Sequence, residues 1–270
     1  MPRRLGQHFL TDGDYAARIV RAAHITNEDN VVEVGPGRGA LTHLIVQAAP
    51  RVLTLLELDH DLAAALRERH ADRDWVHVVE TDARTADPQS LPGTGQGAYK
   101  LLGNLPYYAA SPIIRNFLES TRPPAFMAVM VQREVADEMT ARPGKMGLLA
   151  VGVQLYADVE KLFDVPPEAF RPPPRVVSSV VHLTPLPRPR LELDSTAAFF
   201  ELVRAGFRAP RKQLRNSLAL GLDIPGAQAS EVLEQAGVDP VRRAATLSLD
   251  EWGGLYAAWR THAARAEAAP

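Results

Sequence analysis

The 270-residue chain is long enough for one large domain and a smaller one, and its formal net charge of −2 provides no overall attraction to nucleic acid. Its hydrophobic content of 46%, its charged content of 23% and the lack of a long apolar run indicate a soluble globular protein that does not enter a membrane. Because cysteine is absent, disulfides, thiolate nucleophiles and cysteine-bound metals are excluded, and we assign no metal ligands. A cytoplasmic setting fits this composition.

The chain begins with a predicted lead-in at residues 1–24, which contains the first helix. Thr11 is the predicted N-cap, Asp14 follows it by one turn, and the apolar stripe predicts that the helix ends near Ala23.

A glycine-rich loop follows the first predicted strand, Val31–Val34. The loop Gly35-Pro36-Gly37-Arg38-Gly39 leads into residues with helical spacing, and its glycines let a backbone pass close beneath a ligand. The second strand, 52–56, ends at Glu57, roughly 20 positions after Gly35, which suits an acid that accepts hydrogen bonds from a ribose diol. Because the loop lacks the Gly-x-Gly-x-x-Gly spacing of dinucleotide folds, it favours a nucleoside without a pyrophosphate.

Asp82 follows the third predicted strand, 75–79. Its carboxylate can accept a hydrogen bond from the amino group of a bound adenine, which would complete an adenosine pocket with Gly35 and Glu57. The alternative interpretation is a turn or helix-cap aspartate.

The segment Asn104-Leu105-Pro106-Tyr107 follows the fourth predicted strand, 99–102, and is suited to holding an aromatic amine. The Asn104 side-chain oxygen and the Leu105 carbonyl can both accept hydrogen bonds from one exocyclic NH2 group, and Tyr107 offers a stacking face. Open α/β sheets bind their ligands at the carboxyl ends of strands. The alternative is an ordinary turn before a helix capped by Ser111.

A fifth, nearly all-apolar strand spans 126–131, and further strands are predicted near 158–163 and 175–183. Between the last two, a proline-rich segment holds Phe170 rigidly. Phe170 either forms the second face of a base sandwich with Tyr107 or fills the core.

The alternating prolines of Pro185–Pro189 mark the predicted domain boundary, with a catalytic domain at 1–186 and a helical RNA-binding domain at 187–270. The pattern therefore predicts an α/β, Rossmann-like sheet flanked by helices, followed by a small all-α domain. In the second domain, four cations share one face if their helix is continuous, which suits RNA phosphates, although a solvated face is the alternative. These cations are Arg208, Arg211, Lys212 and Arg215.

Together these features favour methyl transfer from S-adenosylmethionine to the N6 nitrogen of adenine. The glycine loop, Glu57 and Asp82 would hold the cofactor, and the Asn104 segment would present the amine at the next strand end. An aromatic amine is a poor nucleophile because its lone pair is delocalised into the ring. Two hydrogen bonds from its N–H groups would favour a pyramidal nitrogen and aim the lone pair at the methyl group. The base must leave its stack to reach such a pocket.

The motifs resemble those of the ribosomal RNA small-subunit adenine dimethyltransferase family over nearly the whole chain. The matching segments are Gly6-Gln7-His8-Phe9-Leu10, Glu33-Val34-Gly35-Pro36-Gly37, Glu57-Leu58-Asp59, Asp82-Ala83, Asn104-Leu105-Pro106-Tyr107, Val131-Gln132-Arg133-Glu134-Val135-Ala136, Phe170 with its prolines, and Arg211-Lys212-Gln213-Leu214-Arg215-Asn216-Ser217-Leu218. The resemblance implies S-adenosylmethionine as cofactor and, as substrate, two adjacent adenosines in the hairpin loop near the 3′ end of 16S rRNA in the small ribosomal subunit. It also implies a cytoplasmic monomer that acts in ribosome biogenesis.

The resemblance further implies residue roles. Those expected to contact the cofactor are His8, Leu10, Gly35, Gly37, Glu57, Asp82 and Asn104. Asn104 would also lie at the interface with the target amine. His8 stands where the family usually has Asn, in a Gly-Gln-Asn-Phe-Leu motif.

Four other functional assignments can be distinguished from this one by their motifs. Macrolide-resistance methyltransferases modify large-subunit RNA, usually have Asn-Ile-Pro-Tyr and lack the Arg-Lys-x-x-Arg-Asn-Ser-Leu element. DNA adenine methyltransferases favour Pro-Pro-Tyr or Pro-Pro-Trp. A ribosome-assembly factor that only retains a cofactor pocket would not need an intact Asn104 and Tyr107. A nicotinamide-dependent dehydrogenase is disfavoured by the loop spacing.

Overall fold

The computed structural model of the chain describes residues 8–95 and 97–267, and of residues 264–267 only the backbone. The first seven residues of the predicted lead-in therefore lie outside the described residues. None of the described helices is long and apolar enough to cross a lipid bilayer.

The strands form at nearly all the predicted positions. Their bounds are β1 (Phe9–Leu10), β2 (Asn30–Val34), β3 (Val52–Glu57), β4 (Val76–Glu80), β5 (Tyr99–Asn104), β6 (Phe126–Gln132), β7 (Ala157–Val165), β8 (Phe170–Arg171) and β9 (Ser178–Pro185). The helices are α1 (Gly13–Ala22), α2 (Thr42–Ala48), α3 (His60–Arg69), α4 (Ala110–Leu118), α5 (Arg133–Met139), α6 (Leu148–Gln154), α7 (Thr196–Gly206), α8 (Leu214–Leu222), α9 (Gly226–Gln235) and α10 (Leu249–Glu267).

Within the described residues, seven strands form one sheet in the order β4-β3-β2-β5-β6-β9-β7. Strands β2 to β6 run parallel, while β9 pairs antiparallel with both β6 and β7. The central strands are apolar along almost their whole length because helices cover both faces of a parallel sheet. This arrangement confirms the predicted Rossmann-like α/β fold.

The strand order reverses between β2 and β5, which are neighbours in the sheet. The chain builds β3 and β4 on one side of β2 and then returns to place β5 and β6 on the other. Val34 at the end of β2 aligns with Leu56 of β3 and with Gly103 of β5. A Cβ atom at Gly103 would lie 2.6 Å from the Val34 carbonyl oxygen, so only glycine fits here. A crevice at such a reversal is where open α/β sheets bind ligands.

Two compact units make up the chain. The first comprises the chain up to Asp137 together with Tyr156–Pro187, and the second comprises Glu138–Leu155 together with the chain from Arg188 onward. The change at 187–188 lies one residue after the predicted boundary at 186–187. The segment Glu138–Leu155, however, belongs to the second unit, because α6 packs there through residues such as Gly152, which faces the Phe200 ring. The prediction of two uninterrupted domains is wrong on this point.

Several helix starts differ from the prediction. Asp12, rather than Thr11, caps α1 and accepts hydrogen bonds from the amides of Asp14 and Tyr15. Helix α4 begins before Ser111, because the turn after Pro106 already has helical geometry and the proline at position 112 is tolerated in a first turn. The capping box of α10 is confirmed by the reciprocal hydrogen bonds between Ser248 and Glu251.

The four cations do not lie on one continuous helix. Helix α7 ends at Gly206 and α8 begins at Leu214, so residues 207–213 form a turn. Pro210 lies in this turn and cannot donate a helical hydrogen bond. The condition of one continuous helix is therefore not met. Arg208, Arg211 and Lys212 lie in this connecting segment, and Arg215 lies in the first turn of α8.

Candidate active site

A cavity of about 370 Å³ lies in the first unit at the carboxyl ends of β2, β3 and β5. Its volume falls within the range of small-molecule sites, roughly 300–1,000 Å³. Most of the residues predicted from the sequence line it, namely His8, Leu10, Gly35, Gly37, Glu57, Asn104, Leu105, Pro106 and Tyr107.

The glycine loop after β2 forms the floor of this cavity. Gly35 and Gly37 have φ angles of +68° and +56°, which residues with a Cβ atom rarely adopt. A Cβ at Gly35 would lie 3.3 Å from the Asn104 carbonyl oxygen, and one at Gly37 would lie 3.2 Å from the Phe9 ring. The loop therefore needs glycine both for its backbone conformation and for the close approach of its neighbours.

Glu57, the last residue of β3, is 6% exposed and is held by backbone amides. Its carboxylate accepts hydrogen bonds from the amides of Gly37 at 3.0 Å, Leu58 at 2.9 Å and Asp59 at 3.0 Å. These bonds join the glycine loop to the end of β3. A carboxylate offers about four acceptor positions, so one remains for a ligand hydroxyl.

Glu33 is a second buried acid at the cavity and is not among the site residues predicted from the sequence. Burial of its carboxylate raises the pKa of Glu33 to about 8, and the charge of Glu57 adds to this rise. The Thr42 hydroxyl, which donates to Glu33 at 2.7 Å, opposes it. A positively charged ligand group close to this carboxyl would favour its ionised form. The sequence feature that could have indicated this residue is an acid inside the otherwise apolar run Val31–Val34.

The Asn104 segment forms the wall opposite the glycine loop. Asn104 ends β5, and its side-chain nitrogen Nδ2 donates to the His8 carbonyl at 3.3 Å. The Leu105 amide donates to the Met130 carbonyl of β6 at 3.1 Å, and the Leu105 side chain is buried. The Leu105 bond holds the segment against the sheet, and the Asn104 side-chain oxygen remains available as an acceptor.

Tyr107 places its ring in the cavity wall. Its hydroxyl lies 2.7 Å from Ser178 Oγ, at the start of β9, and its ring centroid lies 6.0 Å from that of His8. Burial raises the pKa of the Tyr107 phenol. The ring is therefore fixed at its far end while a face stays available to the cavity.

Phe170 does not line the cavity. Its side chain is fully buried in the hydrophobic core, and β8, which contains it, pairs with β1 through Leu10. The proline-rich segment thus presents this ring to the core and not to a ligand. The interpretation of Phe170 as a second stacking face is corrected in favour of the core alternative.

Asp82 is also absent from the residues that line the cavity. Its carboxylate binds the Arg84 guanidinium, with Oδ2 at 2.5 Å from Nη2. This partner holds the pKa of Asp82 below its usual range. Asp82 nevertheless follows the end of β4 next to Glu57, because the amide of Thr81 donates to the Glu57 carbonyl at 3.0 Å.

Two large exposed hydrophobic side chains border the cavity and were not predicted. Leu58 is 52% exposed and Tyr108 is 54% exposed. Both directly follow a predicted site residue, but the sequence alone does not distinguish an exposed Leu or Tyr from a buried one.

The four predicted RNA-binding cations, in the second unit, are all exposed. Among the described residues, none of Arg208, Arg211, Lys212 and Arg215 forms an ion pair with an acid. The part of the chain that the structure describes also contains no cluster of His, Asp and Glu side chains that could hold a metal ion.

The reversal in strand order, the glycine loop and the acid at the end of β3 define the first unit as an S-adenosylmethionine-dependent methyltransferase fold. A profile of the family described as "Ribosomal RNA adenine dimethylase" matches residues 2–256. The chain belongs to this family of enzymes, which use S-adenosylmethionine as methyl donor.

Individual relatives agree with this assignment. The chain is 41% identical over 248 residues to "Ribosomal RNA small subunit methyltransferase A" of Dehalococcoides mccartyi, covering 92% of this chain and 84% of the relative. The crystal structure of the 23S rRNA methyltransferase ErmE is 27% identical with a TM-score of 0.70, and the match covers 93% of this chain and 98% of ErmE. A dimethyladenosine transferase from Plasmodium falciparum shares the fold, with 22% identity, a TM-score of 0.77 and coverage of 95% and 98%.

The cavity fits the cofactor of this family. The glycines at 35 and 37 leave room where a Cβ atom would intrude, and Glu57 keeps an acceptor for a ribose hydroxyl. Glu33 adds a buried carboxyl to the cavity wall, and a positively charged ligand group would favour its ionised form.

Proposed function

We propose that this protein dimethylates the N6 amino groups of two adjacent adenosines in the hairpin loop near the 3′ end of 16S rRNA. The reaction would take place on the small ribosomal subunit during ribosome biogenesis, in the cytoplasm, with the enzyme acting as a monomer. The observation that carries the proposal is that Glu57 and Asn104, from the ends of two strands, face one cavity.

In this proposal Asn104 and Leu105 bind the target amine. The Asn104 side-chain oxygen and the Leu105 carbonyl each accept one N–H hydrogen bond, which favours a pyramidal nitrogen with a directed lone pair. Pro106 follows directly and fixes the backbone at the Leu105 carbonyl. S-adenosylmethionine supplies the methyl group on its sulfonium. Catalysis then depends on alignment of the amine and needs no strong base.

The cofactor contacts follow the wall of the cavity. Glu57 accepts from the ribose hydroxyls, while Gly35 and Gly37 let the backbone pass beneath the ligand. Leu10 would pack against the cofactor from β1. Asp82 would contact the cofactor adenine only after exchanging its bond with Arg84 for one with the ligand.

Tyr107 would stack on the extruded adenine. Its ring lines the cavity next to Asn104, and its hydroxyl is already bound to Ser178. A stacked base gains about 1 to 3 kcal/mol, which offsets part of the cost of leaving the RNA stack.

The RNA would be bound by the four cations of the second unit. Arg208, Arg211, Lys212 and Arg215 are exposed, and no described acid neutralises them. Phosphate contacts of this kind position a nucleic acid without reading its sequence.

A large-subunit target is the second candidate, because ErmE is named a 23S rRNA methyltransferase and has the same fold at 27% identity. The higher identity of 41% to a protein named for the small subunit favours the first candidate. The two targets predict different products, so one experiment separates them.

The test is to incubate the protein with labelled S-adenosylmethionine and with ribosomal subunits from cells that lack the modification, and then to map the labelled nucleotides. We expect N6,N6-dimethyladenosine at two adjacent positions of 16S rRNA in the small subunit. Label confined to large-subunit RNA, or no label in either subunit, would reject the proposal.

A further inference from the structure

The turn that begins at Asp82 is fixed in place beside the end of β3. The Thr81 amide donates to the Glu57 carbonyl at 3.0 Å, which joins the residue before Asp82 to the proposed ribose ligand. From the other side, the Asn116 side chain of α4 donates to two backbone carbonyls of this turn, at 3.1 Å and 2.8 Å. The backbone that carries the Asp82 carboxylate is therefore held from both sides.

The Arg84 side chain occupies the Asp82 carboxylate. Arg84 Nε lies 3.0 Å from both Oδ1 and Oδ2, and Nη2 lies 2.5 Å from Oδ2. The Arg84 backbone amide donates a further hydrogen bond to Oδ1, at 2.9 Å. A carboxylate has about four acceptor positions, so these contacts leave none for another donor. An adenine amino group can bind Asp82 only when it displaces part of the guanidinium.

The two ends of the nucleoside site differ in this respect. The three donors to Glu57 are backbone amides that stay in place and leave one acceptor position open. At Asp82 the competing donors belong mostly to a side chain, which can rotate away. The ribose end is thus ready to bind, whereas the adenine end must first release an internal partner.

The ion pair of Arg84 with Asp82 is weak enough to be displaced. The two side chains are 43% and 26% exposed, and exposed ion pairs contribute little because water and salt screen them. The guanidinium carbon of Arg84 also lies 6.0 Å from the ring centroid of Tyr108, which borders the cavity. The Tyr108 ring face gives the cation a favourable position within reach once it leaves the carboxylate.

We propose that Arg84 is an internal competitor for Asp82, which lowers the affinity for the adenine end of S-adenosylmethionine and of its product and speeds their release. This inference rests on the proposed function, because each dimethylation takes two methyl transfers and the spent cofactor must leave after each one. Arg84 acts through Asp82 and does not touch the reacting atoms.

The test compares adenosine with purine riboside, which lacks only the amino group, as competitors that displace labelled S-adenosylhomocysteine. Arg84→Ala should lower the dissociation constant of adenosine about twofold to fivefold, since an exposed ion pair no longer competes, and should leave that of purine riboside unchanged. Arg84→Lys keeps a cation and should bind adenosine less tightly than Arg84→Ala. Arg115→Ala, which breaks an exposed ion pair with Glu119, is the matched control and should change neither constant.

Two further measurements separate competition from a structural effect. Dissociation of S-adenosylhomocysteine, followed by stopped flow, should slow in Arg84→Ala by about the same factor as its affinity rises. Because salt screens an exposed ion pair, added KCl should tighten adenosine binding to the wild type and should not do so in Arg84→Ala.

Three outcomes would overturn the inference. Unchanged adenosine binding in Arg84→Ala would show that Arg84 does not compete for Asp82, and weaker binding would make Arg84 a cofactor contact. Equal tightening of adenosine and purine riboside would show that the effect does not pass through the amino group. A thermal melt of each variant shows that it is folded. None of these measurements involves RNA, so a wild type that methylates small subunits retains the proposed function even if the inference fails.

Discussion

The side chains around the cavity are fixed by the protein, whereas the cations of the second unit are not. Glu57 is held by three backbone amides and Tyr107 by a buried serine. Arg211 and Lys212 are exposed and, among the described residues, have no acid partner. Methyl transfer needs reacting atoms held in alignment, while phosphate contacts need charge on side chains that can adapt.

The largest effect is expected at Asn104. Asn104→Ala removes one acceptor of the target amine and should lower the methylation rate roughly 100-fold to 1,000-fold, the usual cost of one aligned hydrogen bond in an active site. Single-turnover kinetics with excess enzyme would measure the rate, and titration calorimetry would show cofactor affinity retained. Asn27→Ala, at an exposed site, is the control. Lost cofactor binding with an unaffected rate at saturation would contradict the assigned role.

The acid at the end of β3 should control cofactor affinity. Glu57→Gln leaves an amide nitrogen where an acceptor is needed, and hydrogen bonds to a charged group contribute about 1.5–3 kcal/mol, so the dissociation constant of S-adenosylmethionine should rise roughly 10-fold to 150-fold. Glu80→Gln is a matched control, because Glu80 aligns with Glu57 at the end of β4 but pairs with exposed His60 and Arg67. An equal loss of S-adenosylmethionine affinity in both variants would show that Glu57 does not bind the cofactor directly.

The buried acid Glu33 should make stability depend on pH. Its pKa is raised from 4.5 to about 8 in the folded chain, so the folded state favours the neutral carboxyl. Between pH 4.5 and 8 the Glu33 carboxyl is ionised in the unfolded chain but stays protonated in the folded chain. As pH rises through this range, the free energy of unfolding of the wild type should fall by up to about 1.4 kcal/mol per pH unit relative to that of Glu33→Gln. Below pH 4.5 the difference in free energy of unfolding between the two proteins should not change with pH. Urea unfolding of both proteins across this range measures it, and parallel pH curves would contradict the assignment.

The smallest effect is expected at the cations. Arg211→Ala/Lys212→Ala should weaken RNA binding and make the plot of log K against log salt shallower by about 1.4–1.8, since two phosphate contacts are lost. Arg21→Ala/Arg67→Ala removes the same charge from exposed positions of the first unit and should leave the slope unchanged. An unaltered slope in the first variant would show that this face is only solvated.

The sequence was most informative where local chemistry determines structure. The apolar β-branched runs of β2 and β3 and the glycine loop with positive φ angles follow from backbone preferences, and they place Gly35, Glu57 and Asn104 at one edge of the sheet. Phe170 was ambiguous because a rigid proline-rich segment does not indicate which way its ring points. The outcome depended on the pairing of β8 with β1.

Tertiary contacts account for the remaining differences. The packing of Glu138–Leu155 with the second unit depends on which segments meet in the fold. The ion pair of Asp82 with Arg84, by contrast, joins residues only two positions apart in the chain. The four cations do not share one helical face, because α7 ends at Gly206 and α8 begins at Leu214, with Pro210 between them.

The most direct measurement is a crystal structure of the protein with S-adenosylhomocysteine and an adenosine-containing RNA hairpin. We expect the ribose of the cofactor product on Glu57 and the target amino nitrogen within hydrogen-bonding distance of the Asn104 side-chain oxygen, with the cofactor sulfur on its other side. A cofactor bound outside the cavity at β2, β3 and β5, or an Asn104 side chain turned away from the amine, would contradict this account.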